Sequence, residues 1–164
     1  MSDKNSDPNA AIAEAKQRYR AERDKRVAAR QGRSDRIATG DLKRYVSDPF
    51  STPEPREPVR DEVDVVCIGG GFAGLLVGAR MREAGFDKIR LIDTAGDVGG
   101  VWYWNRYPEA KCDVESLCYL PLLEETGYFP KLRYSEAPEI YGHAQRIAKH
   151  FRLYDHSLFH TTVT

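Results

Sequence analysis

Three regimes of hydrophobic and polar positions follow one another along the chain. Through residues 9–31 the sequence is mostly Ala, Glu, Lys, Arg and Gln, and only Ile12, Tyr19 and Val27 add larger apolar side chains. Asp7-Pro8 reads as an N-cap and first helical residue, and Gly32 as a stop, so the pattern predicts one long helix. Three larger apolar positions make no full core-facing stripe, so this helix is expected to be solvated or laid on another surface. Between Ser47 and Pro58 the text SDPFSTPEPREP carries prolines at 49, 53, 55 and 58. Proline forbids a regular helix or central strand, and an extended linker is expected.

The third regime begins near Arg60. Val63–Ile68 (VDVVCI) is a short, nearly continuous apolar run of the kind a doubly buried parallel strand needs. Ala73–Ala84 is amphipathic, with Gly85 as its stop, and Lys88–Asp93 (KIRLID) reads as a second strand. Strand, helix and strand compose a βαβ unit. Residues 108–130 show little periodicity. Ala137-Pro138 opens a last helix on which Ile140, Ala144, Ile147, Ala148 and Phe151 recur at helical spacing, and LFHTTVT then reads as a strand. The fold class is therefore α/β: a Rossmann-like half-domain with a parallel sheet over 61–164, preceded by a basic helical extension over 1–46 and a Pro-rich linker over 47–60.

Charge sharpens this division. The 164 residues hold 25 Lys+Arg and 25 Asp+Glu, but residues 1–60 carry a net of +4 and residues 61–164 a net of −4. The basic helix is interrupted by Glu14, Glu22 and Asp24 and has no aromatic interleaving, so nucleic-acid binding is not expected. No apolar run reaches the roughly 18 residues of a membrane span and no signal region opens the sequence, so no membrane is expected and the cytoplasm is the expected compartment. Cys67, Cys112 and Cys118 lack CxxC spacing, which points to reduced thiols with neither a disulfide framework nor a metal site.

The chemistry concentrates at Gly69, Gly71 and Gly74, a GxGxxG that follows a predicted strand and opens a predicted helix. Asp93 stands at the end of the next strand, at the roughly twenty-residue distance the dinucleotide fingerprint requires. Gly69 permits the tight turn, Gly71 lets backbone approach a pyrophosphate, and Gly74 lets helix and strand pack closely. The helix N-terminus offers free N–H groups to phosphates, and Asp93 would accept from ribose hydroxyls. A tight turn with a solvated Asp93 is the plain alternative. The fingerprint does not itself separate FAD from NAD; a second glycine pair, Gly99-Gly100, followed by Trp102, Tyr103 and Trp104, suits a flat ring system.

The residues DTAGDVGGVWYWNRYPEAKCDVES, from Asp93 to Ser116, resemble the Baeyer–Villiger monooxygenases, class B flavoproteins. The resemblance extends more loosely from Val63 to the end of the chain, and PLLEETGYFP (Pro121–Pro130) with the basic extension is most similar to the cyclopentadecanone and steroid monooxygenase subgroup. It implies an enzyme that uses FAD, NADPH and O2 to convert a cyclic or bulky ketone to an ester or lactone. Gly69, Gly71, Gly74 and Asp93 would hold FAD, and Val101, Trp102, Tyr103 and Trp104 would line the flavin. Asp113 would orient an active-site arginine, Tyr119 would contact the flavin, and Lys111, Cys112 and Asp113 would approach NADP. The family has Gly-Ala-Arg where this chain has Glu109-Ala110-Lys111, and lysine lacks the planar fork of arginine.

Trp102 and Trp104 could instead be core aromatics and Asp113 a surface charge. The family's FxGxxxHxxxWP element has no match and one fingerprint is present, so the chain is expected to be the N-terminal portion of such an enzyme, with the NADPH domain supplied by the remaining part and no activity alone. Two other readings stay open at this point: another two-dinucleotide flavoprotein, N-hydroxylating or sulfur-oxidising, and a non-catalytic nucleotide-binding or interaction module.

Overall fold

A computed structural model describes residues 8–30 and 46–164. The chain divides into two compact units, one up to Ser47 and one from Asp48 onward. In the first, helix α1 spans Pro8–Arg30, starting at the proline that the sequence marks as its first turn. Its exposed surface is laced by the ion pairs Glu14–Arg18 and Glu22–Lys25 at helical spacing. Gly32, the expected stop, lies outside the described residues.

The second unit is built on a parallel sheet ordered β1 (Val65–Ile68), β2 (Ile89–Ile92), β3 (Ser157–Leu158). Val65 pairs with Ile89 and Ile68 with Ile92, while Leu91 and Ile92 face Ser157 and Leu158. Helix α2 (Phe72–Glu83) makes the crossover from β1 to β2. It ends at Gly85, whose φ of 86° allows a Schellman closure with Gly85 N–H on Arg82 O and Phe86 N–H on Met81 O. Helix α6 (Ala137–His150) carries the apolar stripe read from the sequence, with Ile140, Ala144, Ile147 and Ala148 buried. Leu75 and Ala79 of α2, Ile89 and Leu91 of β2 and Ala144, Ile147 and Ala148 of α6 form the main core, while Ile140 packs in a second cluster with Cys112 and Leu120. His143 is buried on the same helical face, where its Nε2–H donates to Pro121 O at 2.6 Å and its ring stacks on Tyr128. Burial lowers its pKa and keeps it neutral, so this face accepts it like a core residue.

Two expectations change. β1 is covered on one face only: Val65 and Cys67 turn to the helices, whereas Val66 and Ile68 are exposed, Ile68 at 71%. The period of two sends alternate side chains to a face on which no described helix of this unit packs. LFHTTVT forms a regular strand only at its start, because His160 adopts φ 50° and breaks the ladder; His160 and Thr161 then bond to Ala95 O and Asp93 O. Between β2 and α6 stand three single-turn helices, α3 (Val101–Trp104), α4 (Ser116–Tyr119) and α5 (Leu123–Thr126), the last two within the stretch without periodicity. α4 is anchored by buried Ser116, whose hydroxyl meets Leu132 O and Ser135 Oγ at 2.7 Å.

The proline-rich stretch has no helix or strand, as its prolines dictate. Its first residues are nevertheless packed into the second unit, which therefore begins twelve residues ahead of the expected start at Arg60. Asp48, Phe50 and Ser51 contact Tyr103, Gly96 and His160, so these residues form a strap rather than a free linker.

Candidate functional site

The turn from β1 into α2 is held by backbone geometry. Gly69, at φ 106°, donates its N–H to Ile92 O at 2.7 Å and has open space where a Cβ would stand. At Gly74 a Cβ would lie 2.0 Å from Gly69 O, which is the close helix–strand packing expected of the third glycine. Gly71 is the N-cap of α2; no side chain caps this helix and no acid lies in its first turn. Its leading N–H groups are therefore available to an anion, in the field of a twelve-residue helix.

Gly71 also stands against the second glycine pair. Its missing Cβ faces Gly100 Cα at 3.5 Å, a Cβ on Gly100 would lie 2.8 Å from Gly71 Cα, and Gly99 N–H donates to Gly70 O at 2.9 Å. The two glycine pairs interlock backbone to backbone. Asp93 sits beside them: one carboxylate oxygen accepts from Gly70 N–H at 2.5 Å and the other from Ala95 N–H at 2.8 Å. Each oxygen keeps a lone-pair direction free for a further donor, so Asp93 fixes the loop and can still accept from a ribose hydroxyl.

The four residues of α3 do not make a single wall, because one helical turn sends successive side chains to different sides. Trp102 donates its Nε1–H to Tyr119 Oη at 2.8 Å, and Tyr119 also meets Phe72, the first residue of α2, edge to face at 5.8 Å. Trp102 and Tyr119 therefore adjoin the start of α2. Val101 and Trp104 are exposed, and Tyr103, only 2% exposed, turns to the strap instead.

Lys111, Cys112 and Asp113 alternate outward, inward and outward. Cys112 is buried against Trp102 and Tyr119, while Lys111 and Asp113 line a surface depression with Leu132, Arg133 and Tyr134. Lys111 pairs with Glu136 at 3.6 Å, and Arg133 is engaged by Glu115. Glu109, where the family has glycine, adopts φ 63°, the left-handed region that glycine occupies without strain.

Two carboxylates outside the sequence reading brace this site. Asp97 accepts from the hydroxyls of Tyr141 at 2.7 Å and Tyr154 at 2.8 Å and from Gln145 at 2.8 Å, which ties the second glycine loop to α6. Burial, then the bond to Asp97, pushes both phenol pKa values upward. Asp48 accepts from Tyr103 Oη at 2.5 Å, Ser51 Oγ at 2.7 Å, Phe50 N–H at 2.8 Å and Gly96 N–H at 2.9 Å. Burial opposes its ionisation, but these donors outweigh it and hold the carboxyl at about 2. The one local signal was Asp-Pro-Phe, in which an aspartate can close an Asx-turn on the amide two residues on.

A family described as an NAD(P)-binding Rossmann-like domain matches residues 67–133. The chain is 55% identical over 150 residues to pentalenolactone D synthase of Streptomyces exfoliatus, covering 91% of this chain and 25% of that protein. It is 48% identical over 155 residues to a Baeyer–Villiger monooxygenase of Streptomyces coelicolor, covering 94% of this chain and 26% of the relative. Among solved structures it superimposes on the polycyclic ketone monooxygenase of Thermothelomyces thermophila with a TM-score of 0.70 and 42% identity over 78% of this chain and 22% of that one. A crystal structure of OTEMO in complex with FAD and NADP gives a TM-score of 0.57 and 32% identity over 62% of this chain and 20% of that one. The chain thus spans about a quarter of the length of the curated relatives it matches. By sequence and by fold together, the chain is a homologue of the Baeyer–Villiger monooxygenases over the segment that carries the glycine loops.

Proposed function

We propose that this chain is the FAD-binding part of an NADPH- and O2-dependent flavin monooxygenase that converts cyclic or bulky ketones to esters or lactones. The observation that carries the reading is the bare, uncapped N-terminus of α2 behind Gly69, with Asp93 at its side and Trp102 and Tyr119 beyond it. These residues fit a dinucleotide: helix N–H groups for the pyrophosphate, a carboxylate for the ribose, and aromatic surface next to both. FAD, when bound, supplies the redox and oxygen chemistry.

The protein's own share is binding and placement. The α2 N-terminus orients the phosphates, Asp93 selects an unphosphorylated ribose, and Trp102 with Tyr119 limits water on one side of the ring. Asp113, exposed beside Arg133, would orient an arginine at the reacting end. Arg106 and Arg133 are both engaged elsewhere: Arg106 lies over the rings of Phe50, Tyr103 and Tyr141, and Arg133 is paired with Glu115. Ketone oxidation by this chain alone is accordingly not expected.

Cofactor preference tests the reading. Asp93 repels a 2′-phosphate, so FAD should bind this chain at least about tenfold more tightly than NADP, a difference read by flavin-fluorescence quenching and by competition. Absolute affinity should be weak, because one face of the sheet is open. Tighter binding of NADP than of FAD would sink the assignment.

A further inference from the structure

The strap meets the sheet where ligands bind in folds of this type, at the carboxyl ends of the strands. Asp48 reaches the loop after β2 through Gly96, α3 through Tyr103, and, with Ser51 as intermediary, the segment after β3 through His160 at 3.3 Å. The fit is close: a Cβ on Gly96 would stand 1.8 Å from Ser51 Oγ. Phe50 packs edge to face on Tyr103 at 5.7 Å, and the Arg106 guanidinium sits 4.1, 4.5 and 4.7 Å from the ring centroids of Phe50, Tyr103 and Tyr141.

Helix α3 needs such support. A single turn of helix has no stability of its own, so its orientation must come from side chains. Trp102 is held through Tyr119 on one side, and Tyr103 through Asp48 on the other. The amides of Tyr103 and Trp104 both donate to Gly100 O, and the neighbouring Gly99 N–H donates to Gly70 O in the first glycine loop. Displacing Tyr103 therefore displaces Gly100, the residue against which Gly71 closes.

We propose that Asp48 is a positioning residue for the cofactor loop: from the N-terminal strap, acting through Tyr103 and Gly96, it holds residues 96–104 against the glycine turn. That these loops serve a cofactor rests on the function proposed above; that Asp48 sets their conformation does not. The charged acceptor is what the role requires, since four donors converge on one carboxylate and no neutral side chain accepts from all of them.

The test is amide hydrogen exchange on the 164-residue chain, for the wild type and for Asp48→Ala and Tyr103→Phe. Losing a bond to a charged acceptor should accelerate exchange at Gly99, Trp102 and Tyr103 by about tenfold or more, with the β2 ladder and the Ile147 region of α6 within about twofold of wild type. Tyr103→Phe keeps the ring and removes only the hydroxyl, so it reads the same contact if Asp48→Ala does not fold. Parallel acceleration at every protected amide, or no change at Gly99 and Tyr103 in either variant, overturns the proposal. FAD titration of the same proteins separates the two readings. Binding by the wild type that weakens about tenfold in Asp48→Ala supports the cofactor role, and equal affinity overturns it. If the wild type binds no FAD while the local exchange effect is present, the flavin reading fails and the positioning of residues 96–104 by Asp48 stands.

Discussion

Gly74→Ala offers the sharpest test of the loop geometry. The added methyl would lie 2.0 Å from Gly69 O and 3.2 Å from Gly69 C, both backbone atoms, so no rotamer change relieves it. Restoring ordinary contact requires the first turn of α2 to move away from the end of β1 by more than about 1 Å. Both partners are pinned. Gly69 is bonded to Ile92 O at 2.7 Å, and α2 is fixed by fully buried Leu75 and Ala79. The cost falls at the upper end of the range for overpacking, about 3 kcal/mol. For a unit of this size, that lowers Tm by roughly 12 °C. Gly142→Ala is the control: it lies inside α6 with nothing within 4 Å of its Cβ position, so alanine gains roughly 0.5–1 kcal/mol of helix propensity and should raise Tm by about 2–4 °C. Thermal melts followed by circular dichroism on the same chain decide it. A Gly74→Ala protein melting within about 2 °C of wild type, or a Gly142→Ala protein that falls as far as Gly74→Ala, would refute the packing argument.

Acid stability should report on Asp48. Its carboxyl is held at about 2 in the fold against an ordinary 3.8, so its stabilisation is complete above about pH 4 and is lost as pH falls from there toward 2; the Tm difference between wild type and Asp48→Asn should shrink over that window in differential scanning fluorimetry. Glu109→Gly should stabilise, since a left-handed non-glycine residue costs roughly 1–2 kcal/mol and glycine returns about half of that as unfolded-state entropy; a Tm that drops instead would show that the Glu109 side chain makes a compensating contact.

What the sequence disclosed was what local chemistry encodes. Pro8, Gly85 and the spacing of Ile140, Ala144 and Ile147 announce helix ends and a buried stripe, and the structure has α1, α2 and α6 where those signals stand. Gly74 was legible for the same reason, since its constraint lies five residues away at Gly69. Asp97 and Asp48 were not. Their donors Tyr141, Tyr154 and Tyr103 come from 44, 57 and 55 residues along the chain, and a carboxylate in a polar loop gives no hint of partners at that range. At Tyr103 the sequence shows an aromatic cluster but not the direction of each side chain, and this ring is buried with its hydroxyl on Asp48. Residues 108–130 lack periodicity because they are organised by side-chain bonds to backbone, such as Ser116 on Leu132 O, rather than by a repeating face.

The glycines of the two loops are required for two distinct reasons, and the distinction separates filled from open space at the turn. At Gly74 and Gly100 the protein itself fills the place of a Cβ, with Gly69 O at 2.0 Å and Gly71 Cα at 2.8 Å. These residues exclude a side chain whether or not anything binds. At Gly69 nothing lies within 4 Å, and glycine is required by φ 106° alone. The place of a Cβ is open at Gly69, in the turn that leads into α2, and Gly100 closes the side of Gly71. Since Gly100 is placed by α3, and α3 by Tyr103 and Asp48, the shape of that opening is set jointly by residues 48–51, 69–74 and 96–104. A βαβ unit of residues 61–93 would keep the full fingerprint and lack the wall that faces it.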